Sequence, residues 1–316
     1  MKRFTCEPIE ANLLMTRIPP YLQKGDTIGV VCPAGYMSLE KAQSCIHTLQ
    51  EWGYAIKTGK TLGSDSQNYF SGTDQERLED FQQMLDDDEV KAILCARGGY
   101  GTGRIIDSLD FKKFKKKPKW IIGFSDITLL HAHIFSNYKI AGLHAPMAAA
   151  FNSEDQADVF LQSLKNALEG RKMKYQIAAH EFNKKGEVVG ELVGGNLAIL
   201  AHLVGSSSEF KTKGKILFLE DTGEYLYNVD RMLYQLSRTG KFDRLGGMIL
   251  GSFTENKDTE RPFGKSAYEI IHDIVKRYDF PVCFNFPVGH VKENYSLKIG
   301  LGHKLKIGKN KVSLEE

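Results

Sequence analysis

The order of apolar runs and amphipathic stretches predicts an α/β protein whose N-terminal part is built on a parallel sheet. Three observations carry that reading. The runs "DTIGVVCPA" (Asp26–Ala34), "VKAILCA" (Val90–Ala96) and "WIIGF" (Trp120–Phe124) have the length and β-branched content of buried strands. Stretches with apolar residues at helical spacing lie between them. Residues suited to chemistry follow the strands directly, where open parallel sheets hold their ligands.

The elements follow in order. After the first strand, "SLEKAQSCIHTLQEWG" (Ser38–Gly53) has a Ser cap, helical periodicity and a terminal Gly. "DQERLEDFQQMLDD" (Asp74–Asp87) is a second amphipathic helix leading into the strand at Val90. The basic stretch "KKFKKKPK" (Lys112–Lys119) reads as a solvated loop before the strand at Trp120. Ile127–Phe135 reads as the start of a helix, so Ser125 and Asp126 stand at a sharp strand-to-helix corner. From about 165 to 190 the chain is Lys-rich without clear helical period and reads as a crossing linker. A second set of elements follows. These are a Gly-rich turn into a helix ("VGGNLAILAHLVG"), a strand ("GKILFLE"), a helix ("VDRMLYQLSRTG") and strands at "GGMILGSF" and "FPVCFNFPVGH". The last segment, "LKIGLGHKLKIGKNKVSLEE", alternates apolar and polar residues around Gly and Asn and reads as a closing antiparallel hairpin. The expected architecture is a flavodoxin-like N-terminal parallel-sheet domain (1–165) and a smaller mixed α/β C-terminal domain (166–316).

Composition excludes several classes. With 42% hydrophobic and 26% charged residues among 316, this is an ordinary globular chain, and a net charge of +3 is too mild to argue for nucleic acid. The five cysteines, Cys6, Cys32, Cys45, Cys95 and Cys283, are odd in number and lack a CxxC spacing. Three of them lie in or beside strand-like runs, which points to a reducing compartment and away from a disulfide framework or a metal site. The start, "MKRFTCEPIEANLLM", lacks a sustained apolar h-region, and no run approaches the ~18 apolar residues of a membrane span. A soluble, cytoplasmic protein with no membrane partner, cofactor or metal is expected.

Several residues invite chemistry, each with a plainer reading. Ser125 at its corner is a natural helix N-cap, because Ser and Asp are favoured there. On spacing alone the cap is the commoner reading; the corner would also expose a hydroxyl as a nucleophile, with the next amide, that of Asp126, facing a nascent oxyanion. The G-x-S-x-G elbow is incomplete, since Ile127 stands where the second Gly belongs. A triad would need a base and an orienting acid. Glu220 and Asp221 end one strand, and His290 follows another; either kind of residue is often structural. His131 and His133, two apart on a helix, cannot share a face as a metal pair. His144 also follows an apolar run. "ARGGYGTGR" (Ala96–Arg104) has glycines that let amides approach a ligand, but its G-x-G-x-G spacing and missing Walker lysine speak against a nucleotide.

Together the motifs "ARGGYGTGR", "IIGFSDIT", "HAPM", "ELVGGNLAIL", "LFLEDTGEYLYNVDRMLYQL" and "FPVGH" resemble, in order and from about Leu22 to Gly308, the LD-carboxypeptidases, the S66 serine peptidases. The resemblance implies a two-domain fold with a site at the interface of the domains, and a Ser–Glu–His triad. "GFSD" makes Ser125 the nucleophile, "LED" makes Glu220 the acid, and "GH" makes His290 the base. It puts the oxyanion hole at the amides of Asp126 and of Gly99 or Gly98. Ala145 stands where many relatives have Gly, a small change in a loop. For the terminal carboxylate of a substrate, Arg97 and Arg231 are candidates, since a guanidinium forks onto a carboxylate. The implied substrate is a murein tetrapeptide losing its terminal D-Ala, and the implied assembly is a possible homodimer. Relatives that inactivate microcin C-type antibiotics share the triad; the short segment 209–215 before the acid strand favours the peptidase. A non-catalytic two-lobed module binding a peptide or sugar would explain the glycines but not Ser, Glu and His at three strand ends.

Overall fold

The computed structural model describes residues 15–152 and 159–316. Cys6 and all but the last residue of the N-terminal stretch read above lie outside the described residues. The strands are β1 (Thr27–Val31), β2 (Ala55–Thr58), β3 (Val90–Cys95), β4 (Trp120–Gly123), β5 (Gly142–His144), β6 (Lys174–Ala178), β7 (Gly186–Asn196), β8 (Ile216–Thr222), β9 (Gly247–Thr254), β10 (Val282–Cys283), β11 (Leu297–Ile299), β12 (Gly302–Ile307) and β13 (Lys311–Glu315). The helices are α1 (Leu39–Glu51), α2 (Asp74–Asp86), α3 (Thr102–Ile105), α4 (Lys112–Lys116), α5 (Thr128–Tyr138), α6 (Val159–Leu168), α7 (Leu197–His202), α8 (Leu226–Arg238) and α9 (Ala267–Val275).

The first sheet has the order β11-β5-β4-β3-β1-β2. β2, β1, β3, β4 and β5 are all parallel, in the 2-1-3-4-5 order of flavodoxin-like folds. That order reverses between β1 and β3, which opens a crevice above their carboxyl ends. All four residues of β4 are buried, as expected of a strand covered on both faces. The flanking helices are specified locally. Ser38 accepts from the Lys41 amide at 3.3 Å and α1 buries Ala42, Cys45 and Leu49. Thr73 and Glu76 close a capping box at α2, with bonds of 2.7 and 3.2 Å.

The second sheet has the order β10-β9-β8-β7-β12-β13-β6. It is parallel from β10 to β7 and antiparallel from β7 to β6. The mixed α/β fold with a mostly parallel sheet and a second sheet is thus as expected. The sheets meet where the Asn196 amide, at the end of β7, donates to Thr128 Oγ at the start of α5, 3.1 Å away.

Several local expectations are overturned. The segment read as a crossing linker contains β6 and the start of β7. β6 is an edge strand with only Tyr175 fully buried, so its sequence stays polar. The Gly-rich part of "VGGNLAIL" is the end of β7, and the turn is confined to Asn196, which caps α7 by accepting from Ile199 at 3.2 Å. The basic loop contains α4, whose Phe114 is fully buried. Lys119 is buried too, and its ammonium donates to the Met84 and Asp87 carbonyls at the end of α2. "FPVCFNFPVGH" is strand only at Val282–Cys283. The final hairpin is β12–β13, as read, but β11 just before it leaves to pair antiparallel with β5 in the first sheet.

Candidate active site

Ser125 lies between β4 and α5 with φ of +63°, the left-handed region that a residue with a Cβ rarely adopts. The capping reading of its hydroxyl fails, because no side-chain cap bond forms at the start of this helical segment. Strain held at one half-buried serine, with no capping bond in return, is typical of a functional turn. The turn is tied down from behind. The buried Asp126 carboxylate accepts from the Thr102 amide at 2.9 Å and from the Thr102 hydroxyl. Burial pushes that carboxyl up, while Thr102 and Arg77 pull against it.

The loop after β3 comes next to the serine. A Cβ on Gly98 would lie 3.0 Å from Ser125 Cβ and 3.2 Å from its Oγ, so only glycine lets the loop approach this far. Among the described residues the amides of Gly98 and Gly99 donate to no protein acceptor, whereas the Gly98 carbonyl accepts from Gly35 at 3.0 Å. The amides are therefore free for a ligand.

Glu220 is fully buried at the carboxyl end of β8. The register slips there. Leu219 faces Leu250 but Asp221 faces Phe253, so β9 carries one extra residue opposite Glu220. His290 Nδ1 bonds Glu220 Oε2 at 2.7 Å. Its ring packs edge-on against Phe124, the residue before Ser125, with centroids 4.8 Å apart. Burial lowers the imidazole pKa, but the hydrogen bond and charge of Glu220, with Asp221 and Glu255, outweigh it and raise it above 6.5. Asp221, next along the strand, points elsewhere. It accepts from Asn196 Nδ2 at 2.9 Å and from the Ala198 amide at 3.0 Å. Burial, reinforced by the charge of Glu220, pushes its carboxyl up to about 7.

Serine, histidine and acid are thus brought to one place from both sheets. Ser125 Oγ and His290 Nε2 share no hydrogen bond here, an arrangement common in unliganded hydrolases. A cavity of about 800 Å³ opens beside them, lined among others by Phe124, Arg97 and His290. A larger cavity, about 1230 Å³, lies between residues 60–73 and α2 and touches none of the three. Among the described residues no group of three or more His, Cys, Asp and Glu is placed to hold a metal ion, and no helix is long and apolar enough to cross a membrane.

The chain as a whole is similar to known proteins. The LD-carboxypeptidase N-terminal domain model matches residues 28–145, and the LD-carboxypeptidase C-terminal domain model matches 189–305. The chain belongs to the LD-carboxypeptidase family, peptidase S66. It is a serine-type carboxypeptidase. A probable murein peptide carboxypeptidase of Bacillus subtilis is 36% identical over 89% of each chain. A murein tetrapeptide carboxypeptidase of Pseudomonas aeruginosa is 29% identical, covering 86% of this chain and 91% of its own. The crystal structure of muramoyltetrapeptide carboxypeptidase from Oxalobacter formigenes superposes with a TM-score of 0.82 at 28% identity, over 92% of this chain and 98% of that one.

In this LD-carboxypeptidase the two candidate arginines part company. Arg97 lines the cavity, its Nη1 donating to the Tyr36 carbonyl at 2.9 Å. Arg231 is turned along its own helix, bonded to Asn228 and 5.4 Å from the Tyr227 ring centroid, and does not line the cavity. The other histidines are accounted for by packing. His131 bonds the Ile121 carbonyl at 3.0 Å, and burial holds its pKa down to about 4. His133 bonds Ser208 Oγ at 2.9 Å. His144 sits between Phe124 and Phe218, at 5.5 and 4.9 Å, and burial holds it well below 6.5.

Two supporting residues escaped sequence reading. Asn294 accepts from the Gly289 amide at 3.0 Å and so fixes the turn that carries His290. Its one local sign was the turn-rich "VKENY" around it. Gly289, the glycine of "GH", is the second. It has φ of +119°, and a Cβ there would lie 2.5 Å from Ser252 Oγ and 2.8 Å from Glu220 Oε2. Gly289→Ala is therefore expected to displace the Glu220–His290 pair and to lower kcat by about 100-fold, with a melting temperature below wild type. Steady-state kinetics and thermal denaturation on the same preparation check both.

Proposed function

We propose that this enzyme removes the terminal D-Ala from murein tetrapeptides by acyl transfer through Ser125, Glu220 and His290, in the cytoplasm and as a step of peptidoglycan recycling. The observation that carries the reading is the left-handed Ser125 beside a histidine whose Nδ1 is held by a buried glutamate at 2.7 Å. His290 Nε2 takes the Ser125 proton as Oγ attacks the carbonyl carbon of the last peptide bond. The amides of Asp126 and Gly99 receive the oxyanion, each donor contributing about 3 kcal/mol. As the intermediate collapses, the C–N bond breaks and the amine of D-Ala leaves with the proton from His290. Water then attacks the acyl-serine, giving its proton to His290, and the tripeptide carboxylate departs as Ser125 regains a proton. Arg97, at the cavity wall, faces the carboxylate of the departing residue.

The direct test is to incubate the protein with a muropeptide tetrapeptide and follow products by mass spectrometry. Loss of one D-Ala is expected. If folded protein leaves the tetrapeptide intact, this reading falls, and an acyl-sulfamoyl nucleotide of the microcin C type becomes the substrate to try.

The raised His290 pKa fixes the acid side of the pH profile. The base must be neutral, so activity is lost as pH falls through its pKa. The acid limb of kcat/KM is therefore expected above 6.5. A limb well below that value would contradict the role of the Glu220 charge.

A further inference from the structure

A guanidinium lies buried behind the loop that follows β3. Arg77, on α2, is fully shielded from solvent. Its Nη1 donates to the Pro33 carbonyl at 2.6 Å and to the Gly101 carbonyl at 3.0 Å. One nitrogen thus ties the segment after β1 to the loop after β3, the two lips of the crevice where the strand order reverses. Its Nε reaches the Gly72 carbonyl at 3.4 Å, and Nη2 pairs with the Asp74 carboxylate. Removing a guanidinium from water is costly, and here an ion pair and bonds to three carbonyls offset that cost. Gly101 sits tightly against it. Its φ is +148°, and a Cβ there would lie 2.8 Å from Arg77 Nη1 and 3.0 Å from Ala34 Cα. The next residue, Thr102, donates through its amide and hydroxyl to the carboxylate of Asp126. The Gly98 and Gly99 amides and the Asp126 amide are therefore anchored at one place, Gly101–Thr102.

We infer that Arg77 is a positioning residue for the reaction. By holding the Gly101 carbonyl beside that of Pro33, it sets where the Gly98 and Gly99 amides stand relative to the Asp126 amide, and so the fit of the oxyanion hole. The inference deepens the peptidase reading above and rests on it. Oxyanion donors act only within a narrow range of distance, so a loop of four glycines and a tyrosine needs an external clamp to keep them there. A planar guanidinium supplies one, because its fixed fork reaches several acceptors at once. Arg104 provides the contrast. It binds the same Asp74, through Nε at 2.8 Å and Nη2 at 2.7 Å, but it is half exposed and among the described residues donates to no carbonyl of the loop.

The test compares Arg77→Lys with Arg104→Gln. Lysine keeps a cation beside Asp74 but lacks the fork that joins two carbonyls. Arg77→Lys is expected to lower kcat for D-Ala release by about 100-fold, the order of one lost oxyanion donor, with KM changed by less than about twofold. Affinity for a peptide boronic acid, in which boron replaces the scissile carbonyl carbon and takes Ser125 Oγ to become tetrahedral, should fall by about the same factor. Arg104→Gln should keep kcat within about threefold of wild type. Hydrogen exchange of residues 98–102 in the free protein, read by mass spectrometry, should be about tenfold faster in Arg77→Lys than in either wild type or Arg104→Gln. Gly101→Ala strains the same contact from the other side, so the same fall in kcat is expected of it, and it decides the matter should Arg77→Lys not fold. A kcat within about threefold of wild type in Arg77→Lys or in Gly101→Ala, an equal loss in Arg104→Gln, or unchanged exchange would overturn the inference. The peptidase reading fails separately. If wild type releases no D-Ala that reading falls, and the exchange measurement alone then upholds or overturns the hold of Arg77 on the loop.

Discussion

Replacing Ser125 by alanine is expected to lower kcat for D-Ala release by about 10⁶-fold while leaving the fold intact. The magnitude is that of removing a nucleophile whose triad partners cannot act without it. Alanine keeps the Cβ and hence the backbone strain at φ of +63°. Ser125→Gly gives a second, independent reading. It also lacks the hydroxyl, but it relieves a left-handed position, so it should be as inactive and at least as stable as wild type, by up to about 1 kcal/mol. Thermal denaturation and single-turnover kinetics on the two variants separate strain from chemistry. Residual D-Ala release within about tenfold of wild type from either variant would remove Ser125 from the reaction.

Glu220→Gln is expected to cost about 10⁴-fold in kcat with little change in structure. The carboxylate accepts from His290 Nδ1 at 2.7 Å, which fixes Nε2 as the proton-free nitrogen that serves Ser125. An amide can present its NH₂ to Nδ1 instead and stabilise the wrong tautomer. The charge goes as well, and with it the influence that holds the imidazole above 6.5 against burial. The acid limb of the pH profile should therefore move to lower pH in the variant, opposite to the direction Glu220 imposes. Asp221→Asn serves as comparison. That residue bonds Asn196 and the Ala198 amide rather than the histidine, so its loss should act on the packing of α7 and change kcat far less. A larger fall in kcat for Asp221→Asn than for Glu220→Gln would reverse the assignment of the acid.

The parallel sheet was legible because β4, and β1 and β3 apart from Thr27 and Lys91, are buried on both faces and carry runs of apolar residues there. The second sheet was only partly legible. The first half of β7 alternates in burial and β6 lies at an edge, so β7 admits glutamate, β6 admits lysine and glutamine, and both look like a linker. β11 is three residues long, too short for any period, and its pairing with β5 depends on a partner some 150 positions earlier in the chain.

The site divides in the same way. A hydroxyl at a strand-to-helix corner, two acids at one strand end and a histidine beside glycine are local patterns, and ordered motifs tied them to one peptidase family. Sequence alone thus determined the main strands and helices of the first sheet, the family and the candidate side chains, since each depends on a residue's own chemistry and its near neighbours. Tertiary structure decided that Ser125 is strained rather than capping, because its φ is set by the docking of β4, α5 and the Gly98 loop. It also decided between adjacent acids, since Glu220 bonds His290 where the register with β9 slips, while Asp221 accepts from Asn196 and the Ala198 amide at the start of α7. Arg97 was separated from Arg231 in the same manner. Charges far apart in the chain become neighbours only when two sheets close around the crevice between them.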